Sequence, residues 1–262
     1  MRLFYGWWVA AVSVVVLVGT LPGQTVVVSV FIPRIRDALD LSATEVSLSY
    51  MVATIAASLG MTMLGRFSDR YGPRRVTIAA VFVMGLACAF MGVVSSVGAL
   101  TIGFFGLRAF GQGAMGLLSG HAVALWFEAD LRRVEALRAA AMSLATALMP
   151  GVAFTAIEVL GWRWAYPALG AGVVLACVPV LLTVKADVPE ALGLSIDGRP
   201  RPEGAEATAL EGVDLPDAVR TLAYWVLLLI GAVHSGLGTA LLFHAEALAA
   251  AAQVPDPAQS AA

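Results

Sequence analysis

The chain alternates long apolar runs with short polar segments. At about 20 residues per membrane crossing, the apolar runs predict seven helices, near residues 6–31, 45–65, 76–96, 99–125, 138–160, 165–184 and 222–243. The first run is unusually long, and Gly19, Pro22 and Gly23 within it predict a bend. This pattern predicts an all-α polytopic membrane protein.

Composition supports the same class. The mean hydropathy is +0.86, with 60% hydrophobic and 13% charged residues, about half the charge of a soluble domain. The net charge of −2 and the absence of a basic patch with interleaved aromatic residues argue against a nucleic-acid partner. Cys88 and Cys177 each lie within an apolar run, so we expect buried thiols, with no disulfide, metal site or cofactor.

Basic residues predict the orientation. Residues 65–75, between the second and third runs, carry four arginines and one aspartate, and short loops rich in Lys and Arg remain cytoplasmic. With the N-terminus inside, only Arg34, Arg36 and Arg163 fall in outer segments and Arg108 lies within a span, so twelve of the sixteen basic residues are cytoplasmic. We therefore predict a cytoplasmic N-terminus and an outer C-terminus.

Residues 185–221 are polar and rich in Pro and Gly, a composition typical of a flexible linker. Six spans, a cytoplasmic linker and a new span match the plan of transporters built from two parallel repeats. The predicted organisation is a six-helix bundle over 1–184, a linker over 185–221, and the start of a second bundle over 222–262.

Several short segments follow one another in a characteristic order: Gly6-Trp7-Trp8, Phe31-Ile32-Pro33, Gly65 to Arg75, Arg108-x-x-x-Gln112-Gly113, Trp126-Phe127, Gly161-Trp162-Arg163-x-x-Tyr166, Pro189-Glu190 and Phe243-His244. They resemble the major facilitator superfamily, and within it the monocarboxylate and oxalate/formate porter branch. One departure is acidic: Glu128 to Glu135 stands where that family has a basic cluster.

The resemblance implies a non-enzymatic secondary transporter of the inner (plasma) membrane, which moves a small organic anion such as a mono- or dicarboxylate by alternating access. It also implies a truncated transporter, because the chain stops about one helix into the second half. We therefore expect that the chain alone does not transport, and that the missing half or a self-associated copy completes the substrate site.

Three polar residues are candidates for the cavity. Arg108 lies about nine residues into the fourth run, about 14 Å deep, where an arginine costs about 2.5–3.5 kcal/mol and is usually functional. The alternative is a structural arginine bonded to backbone carbonyls. Gln24, in the bent first run, lines the cavity or makes a packing hydrogen bond. The resemblance adds Gln112 and implies coupling or gating for Arg108, with direct anion contact as the alternative.

The segment from Gly65 to Arg75 supplies candidates for a gate. Gly65 and Gly72 allow close approach and a tight turn. Asp69 can accept backbone N–H groups at a helix N-terminus, and the resemblance implies that this contact gates the cytoplasmic side. The remaining candidates are basic and are expected to face lipid headgroups: Arg70, Arg74 and Arg75. The alternative is that the segment acts as a topology signal alone.

Other functions have less support. The centre of every span lacks Asp and Glu, which favours an anionic substrate over a cationic one. A seven-helix photoreceptor is excluded because the only lysine, Lys185, follows the sixth span. An intramembrane enzyme would need paired acids, a nucleophile set or metal ligands. An exporter of another small molecule within the same superfamily remains the alternative.

Overall fold

The computed structural model describes residues 4–199 and 215–244, apart from the side chains of Thr62, Leu215 and Pro216. The chain divides into two compact units, Met1–Pro200 and Arg201–Ala262, and each is considered by itself. All regular structure in the described residues is helical, so the predicted all-α fold class is confirmed.

The first unit contains eight α-helices: α1 (Gly6–Val18), α2 (Thr25–Leu39), α3 (Ala43–Tyr71), α4 (Pro73–Met91), α5 (Val97–Gly106), α6 (Gly116–Trp126), α7 (Leu131–Leu160) and α8 (Trp162–Leu182). A 3-10 turn at Leu21–Gly23 joins α1 to α2, and a π-helix at Leu107–Met115 joins α5 to α6. Short 3-10 turns follow α8 at Pro189–Leu192 and Ile196–Gly198.

Five of the described helices are long and apolar enough to cross a membrane: Gly6–Leu39, α4, α7, α8 and Leu222–Phe243. α3 is a sixth when its parts, bent by 43° at residue 62, are counted as one span. Residues 97–126 form a continuous helix whose two α-helical parts have only 10 and 11 residues. Together with the π-helix between them, these two parts form the predicted fourth span. The chain is thus a multi-pass membrane protein.

The turn between the second and third spans is much shorter than predicted. α3 continues to Tyr71 and α4 begins at Pro73, so Gly72 alone separates them. Gly72 has a φ of 84°, which glycine adopts most readily, and a proline at the first helical position has the fixed φ that starts a helix. Most of the predicted loop is therefore the last turns of α3.

The two ends of the bundle are distinguished by the segments they carry. We call the end with residues 4–5, 71–73, 126–131 and 183–199 the near end, and the end with residues 40–42, 92–96 and 161 the far end. At the near end the Tyr5 hydroxyl donates to the Thr183 carbonyl at 3.1 Å and accepts from Lys185 N at 3.0 Å. The segment after α8 is thus bound to the start of the chain.

Residues 185–199 are folded, in contrast to the flexible linker predicted from residue 185. The carboxylate of Asp197 accepts the backbone N–H groups of Glu128, Ala129 and Asp130, with the Ala129 bond at 2.8 Å. It thereby binds the segment that leads into α7. The rest of the predicted linker before residue 215 lies outside the described residues.

The second unit contains α9 (Leu215–Ala218) and α10 (Leu222–Phe243). The Thr221 hydroxyl caps α10 by accepting Tyr224 N at 3.3 Å, and α10 has the bounds predicted for the seventh span. Residues 245–262 lie outside the described residues, so the predicted outer position of the C-terminus stays a prediction.

Candidate functional site

The fourth span is not a continuous α-helix. Its nine central residues, Leu107–Met115, form a π-helix, a rare geometry that is frequent at functional sites. Arg108 and Gln112 both lie in this segment. The hydrophobic pattern predicted an uninterrupted α-helix over 99–125.

The π-helix packs directly on the interruption of the first span. A Cβ atom on Gly23 would overlap the carbonyl oxygen of Leu107, and a Cβ atom on Gly111 would lie 3.0 Å from the Gly23 Cα. The two backbones touch there because neither glycine has a side chain. Two irregular segments thus meet midway along their spans, close to Arg108.

Arg108 is nearly enclosed, with 9% of its surface exposed. Its Nη1 donates to the Thr25 hydroxyl at 3.4 Å, a long bond, and the Thr25 hydroxyl shares a hydrogen bond of 2.9 Å with the Tyr50 hydroxyl. The guanidinium carbon lies 5.0 Å from the centre of the Tyr50 ring, within cation–π range. Residues of the first, second and fourth spans therefore hold this cation together.

The guanidinium has few other partners. Among the described residues no carboxylate pairs with Arg108, and no backbone carbonyl accepts its N–H groups. The sequence analysis left a structural arginine bonded to backbone carbonyls as the alternative. The described residues do not show such bonds to Arg108. Most of the five N–H donors of this guanidinium thus have no acceptor among the described residues.

A cavity of about 160 Å³ opens beside the guanidinium. Side chains of the second and fourth spans line it: Thr54, Ala57, Ser58, Met61, Arg108 and Gln112, together with Gly113. Hydroxyl, amide and guanidinium groups therefore face one space. Two of the three predicted cavity residues, Arg108 and Gln112, meet there.

The third predicted cavity residue, Gln24, is placed differently. Its side-chain amide donates to the Thr20 hydroxyl at 3.2 Å, and Gln24 is not among the residues that line the cavity. This hydrogen bond is local, between two residues of the same span, so Gln24 as a cavity residue stays a prediction. Gln24 still adjoins Thr25, the hydrogen-bond partner of Arg108.

The predicted gate residues lie at the near end. Gly65 and Asp69 belong to the last turns of α3. Asp69 is exposed and makes no hydrogen bond or ion pair with any described residue. Arg70 stacks over the neighbouring Tyr71 ring at 5.4 Å, and Arg75 is exposed.

Arg74 and Asp187 make the contact that was expected of Asp69. The Asp187 carboxylate accepts the backbone N–H of Arg74 at 3.1 Å, at the start of α4. The Arg74 side chain donates to the carbonyls of Leu181 and Leu182, at the end of α8, at 3.0 and 3.1 Å. Each group neutralises the partial charge of a helix terminus, so α4 and α8 are joined at the near end.

Sequence reasoning missed Asp187, Thr25 and Tyr50. A signal existed for Asp187: the N-cap of α4 is Gly72, which has no side chain to accept an N–H group, so another acceptor was required. Thr25 and Tyr50 are ordinary helix residues in the sequence. Only the packing of the spans brings them to Arg108.

Several helices long and apolar enough to cross a membrane define the chain as a polytopic membrane protein, and a polar cavity lies beside its buried arginine. The family model of the Major Facilitator Superfamily matches residues 14–245. The chain therefore belongs to the Major Facilitator Superfamily.

Two curated relatives are similar to the chain. A lincomycin resistance protein of Streptomyces lincolnensis is 26% identical over 233 residues, which is 87% of this chain and 44% of the relative. A probable sulfoacetate transporter of Cupriavidus necator is 26% identical over 145 residues, 55% of this chain and 34% of the relative. The matched region spans less than half the length of either relative.

Proposed function

We propose that this chain acts in secondary active transport of a small organic anion, such as a mono- or dicarboxylate, by alternating access. It does so in the inner (plasma) membrane, with the near end cytoplasmic. Membership of the superfamily supports transport, and similarity to a probable sulfoacetate transporter is compatible with an anionic substrate. The proposed organisation remains a bundle over 1–184 and a second bundle beginning at 222.

The observation that carries the anion proposal is the state of Arg108. A cation nearly removed from water, with one hydrogen bond of 3.4 Å and no paired carboxylate among the described residues, is incompletely solvated. A carboxylate or sulfonate in the adjoining cavity would supply the missing charge and accept two parallel hydrogen bonds. The open donors favour direct anion contact over the coupling or gating role that the family resemblance implies.

The near-end residues have a separate role in this proposal. Asp69 is exposed and available for a contact that forms in another conformation of the cycle, and Gly65 and Gly72 permit α3 and α4 to move closely past a neighbour. Arg70 and Arg75 face headgroups, whereas Arg74 is committed to the end of α8. In this proposal Asp69 is the gate residue, and Arg74 joins the start of α4 to the end of α8.

A second candidate function is export of another small molecule, favoured by the match to a lincomycin resistance protein over 87% of this chain. The two functions differ in the ligand that the cavity accepts. The purified chain, in lipid nanodiscs, is incubated with labelled sulfoacetate, oxalate, formate or lincomycin in equilibrium dialysis. We expect saturable binding of one or more of the anions, competed by the others and not by lincomycin. Saturable binding of lincomycin that is unaffected by the anions would favour the exporter instead.

A further inference from the structure

A second buried arginine lies outside the cavity described above. Arg138, in the second turn of α7, is 4% exposed. Its Nη2 donates to the Ser119 hydroxyl of α6 at 2.9 Å, and its Nη1 donates to the carboxylate of Glu135. Its Nε is fully buried and has no partner among the described residues. The proposed transport function does not use this cation.

The ion pair that holds Arg138 is unequal. The Arg138 side chain is 5% exposed, whereas the Glu135 side chain is 47% exposed. If the pair separates, Glu135 regains its hydration at small cost, but Arg138 is left as a buried charge without a counter-ion, which is strongly unfavourable. Another anion that reaches this position can therefore replace Glu135 only if it pairs with Arg138 as the Glu135 carboxylate leaves.

An anion would take a position that the protein itself fills. A ligand carboxylate would replace the Glu135 carboxylate beside Nη1, and the Glu135 side chain that would have to leave is 47% exposed. The paired N–H groups of a guanidinium favour an anion with two acceptor oxygens over an anion that makes a single contact. The Ser119 hydroxyl, already at Nη2, lies within reach of the same ligand.

This position is distinct from the Arg108 cavity. Ser119 follows Arg108 by 11 residues in the same span, about 16 Å along a helix. A two- or three-carbon anion cannot contact both arginines together. Arg138 lies towards the near end, which the proposed topology assigns to the cytoplasm.

We propose that Arg138 and Ser119 form a second anion station at the near end, and that Glu135 is a tethered counter-ion that a small carboxylate or sulfonate replaces. The station is the inner stop of an anion that travels to or from Arg108, and in this respect it rests on the proposed function. Its existence as a binding site does not depend on Arg108.

The test is rescue of stability by an added anion. Glu135→Ala leaves Arg138 without its counter-ion, so the melting temperature of the purified chain in nanodiscs should fall by roughly 5 °C or more. Oxalate or sulfoacetate, added at constant ionic strength in place of chloride, should restore at least half of that loss in a saturable manner. Wild type, with Glu135 in position, should respond less.

A matched control is available. Asp217 and Arg220 also form an i,i+3 ion pair, but their side chains are 66% and 79% exposed. Asp217→Ala should neither lower the melting temperature nor create an anion response. Rescue should persist in Glu135→Ala/Arg108→Gln and disappear in Glu135→Ala/Ser119→Ala/Arg138→Gln.

The outcomes separate the two proposals. A Glu135→Ala chain that anions do not stabilise overturns the station, as does a rescue that disappears with Arg108→Gln. The first result does not bear on binding at Arg108, which is measured in the dialysis experiment, and the second would assign the bound anion to Arg108. Conversely, rescue of Glu135→Ala beside a wild type that binds no anion at Arg108 would keep the station and overturn the proposed substrate.

Discussion

The Arg108 guanidinium lies 5.0 Å from the centre of the Tyr50 ring, and Arg108 also lines the cavity. Depth in the span predicted that this arginine is functional, because a central cation is costly in lipid. The sequence could not predict its partners, since Thr25 and Tyr50 belong to other spans and carry no charge. The sequence also could not predict how Gln24 is used. Gln24 adjoins Thr25, but its side-chain amide donates to Thr20 within the same span.

Tyr50 should position Arg108 mainly through its ring. Tyr50→Phe keeps the ring face under the guanidinium and removes the hydrogen bond to Thr25, so anion affinity should fall less than about fivefold. Tyr50→Leu removes the aromatic face as well and should weaken affinity by roughly tenfold or more. Equilibrium dialysis with labelled sulfoacetate provides the dissociation constants.

Tyr71 offers a matched control, because it carries Arg70 over its ring at an exposed position. Tyr71→Leu should leave anion affinity unchanged. Equal affinities for Tyr50→Phe and Tyr50→Leu would mean that the ring does not hold the cation.

At the scale of elements, two interruptions differ in how far the sequence predicts them. Pro22 between Gly19 and Gly23 marked the break in the first span, and the α-helix is interrupted at Leu21–Gly23. The π-helix at Leu107–Met115 was not predicted, because one extra residue in a turn leaves an apolar span apolar.

The contact between these two interruptions should be sensitive to a single methyl group. Gly23→Ala forces a Cβ atom against the Leu107 carbonyl, and overpacking of this kind typically costs about 1–3 kcal/mol. Thermal unfolding of the purified chain in nanodiscs should show a clear fall in melting temperature. Gly116→Ala, in the fourth span and with open space at its Cβ position, should leave it unchanged or raise it. Equal effects of the two substitutions would contradict the backbone contact.

Helix termini at the near end explain why the segment after α8 is ordered. Its polar, Pro-rich composition predicted flexibility, but Asp187 and Asp197 each bind backbone N–H groups at or just before a helix start. Such pairing depends on which helix ends meet in space, and the sequence does not state this. The sequence indicated Asp69 instead, because its carboxylate can accept N–H groups at a helix N-terminus and the family resemblance implies a gating contact there.

Asp187→Ala should therefore destabilise the bundle, while Asp69→Ala should not. Loss of a carboxylate at a helix N-terminus costs about 1 kcal/mol, so a fall of roughly 3 °C in melting temperature is expected for Asp187→Ala. Asp69 is exposed and unpaired among the described residues, which makes it the matched control. A larger fall in melting temperature from Asp69→Ala than from Asp187→Ala would mean that Asp69, as the sequence indicated, joins the helices.

For the whole molecule, the distribution of basic residues predicts which end faces the cytoplasm. The all-helical fold and superfamily were predictable, because hydropathy and the ordered motifs are properties of the sequence itself. The branch of the superfamily and the substrate were not, since both depend on a few side chains whose neighbours come from different spans. Orientation therefore stays a prediction.

Cysteine labelling tests the orientation. Cys88 and Cys177 are buried, so they should contribute little background. Ser95→Cys at the far end should react with a membrane-impermeant maleimide in intact cells, whereas Glu128→Cys at the near end should react only after permeabilisation. Both native positions are exposed. The reverse pattern would invert the proposed topology.

Contact between a substrate anion and the Arg108 guanidinium is the central claim, and solid-state NMR measures it directly. The chain, labelled with ¹⁵N-arginine in lipid bilayers, is saturated with sulfoacetate that carries ¹³C at the carboxylate. Carbon–nitrogen recoupling should report a separation of about 4 Å, as expected for a bidentate carboxylate–guanidinium pair. The chain carries Arg138→Gln, so that the near-end station contributes no carbon–nitrogen contact. The account predicts that this signal disappears in Arg108→Lys and persists in Arg75→Lys. An unchanged signal in Arg108→Lys, or saturable binding without any carbon–nitrogen contact, would contradict it.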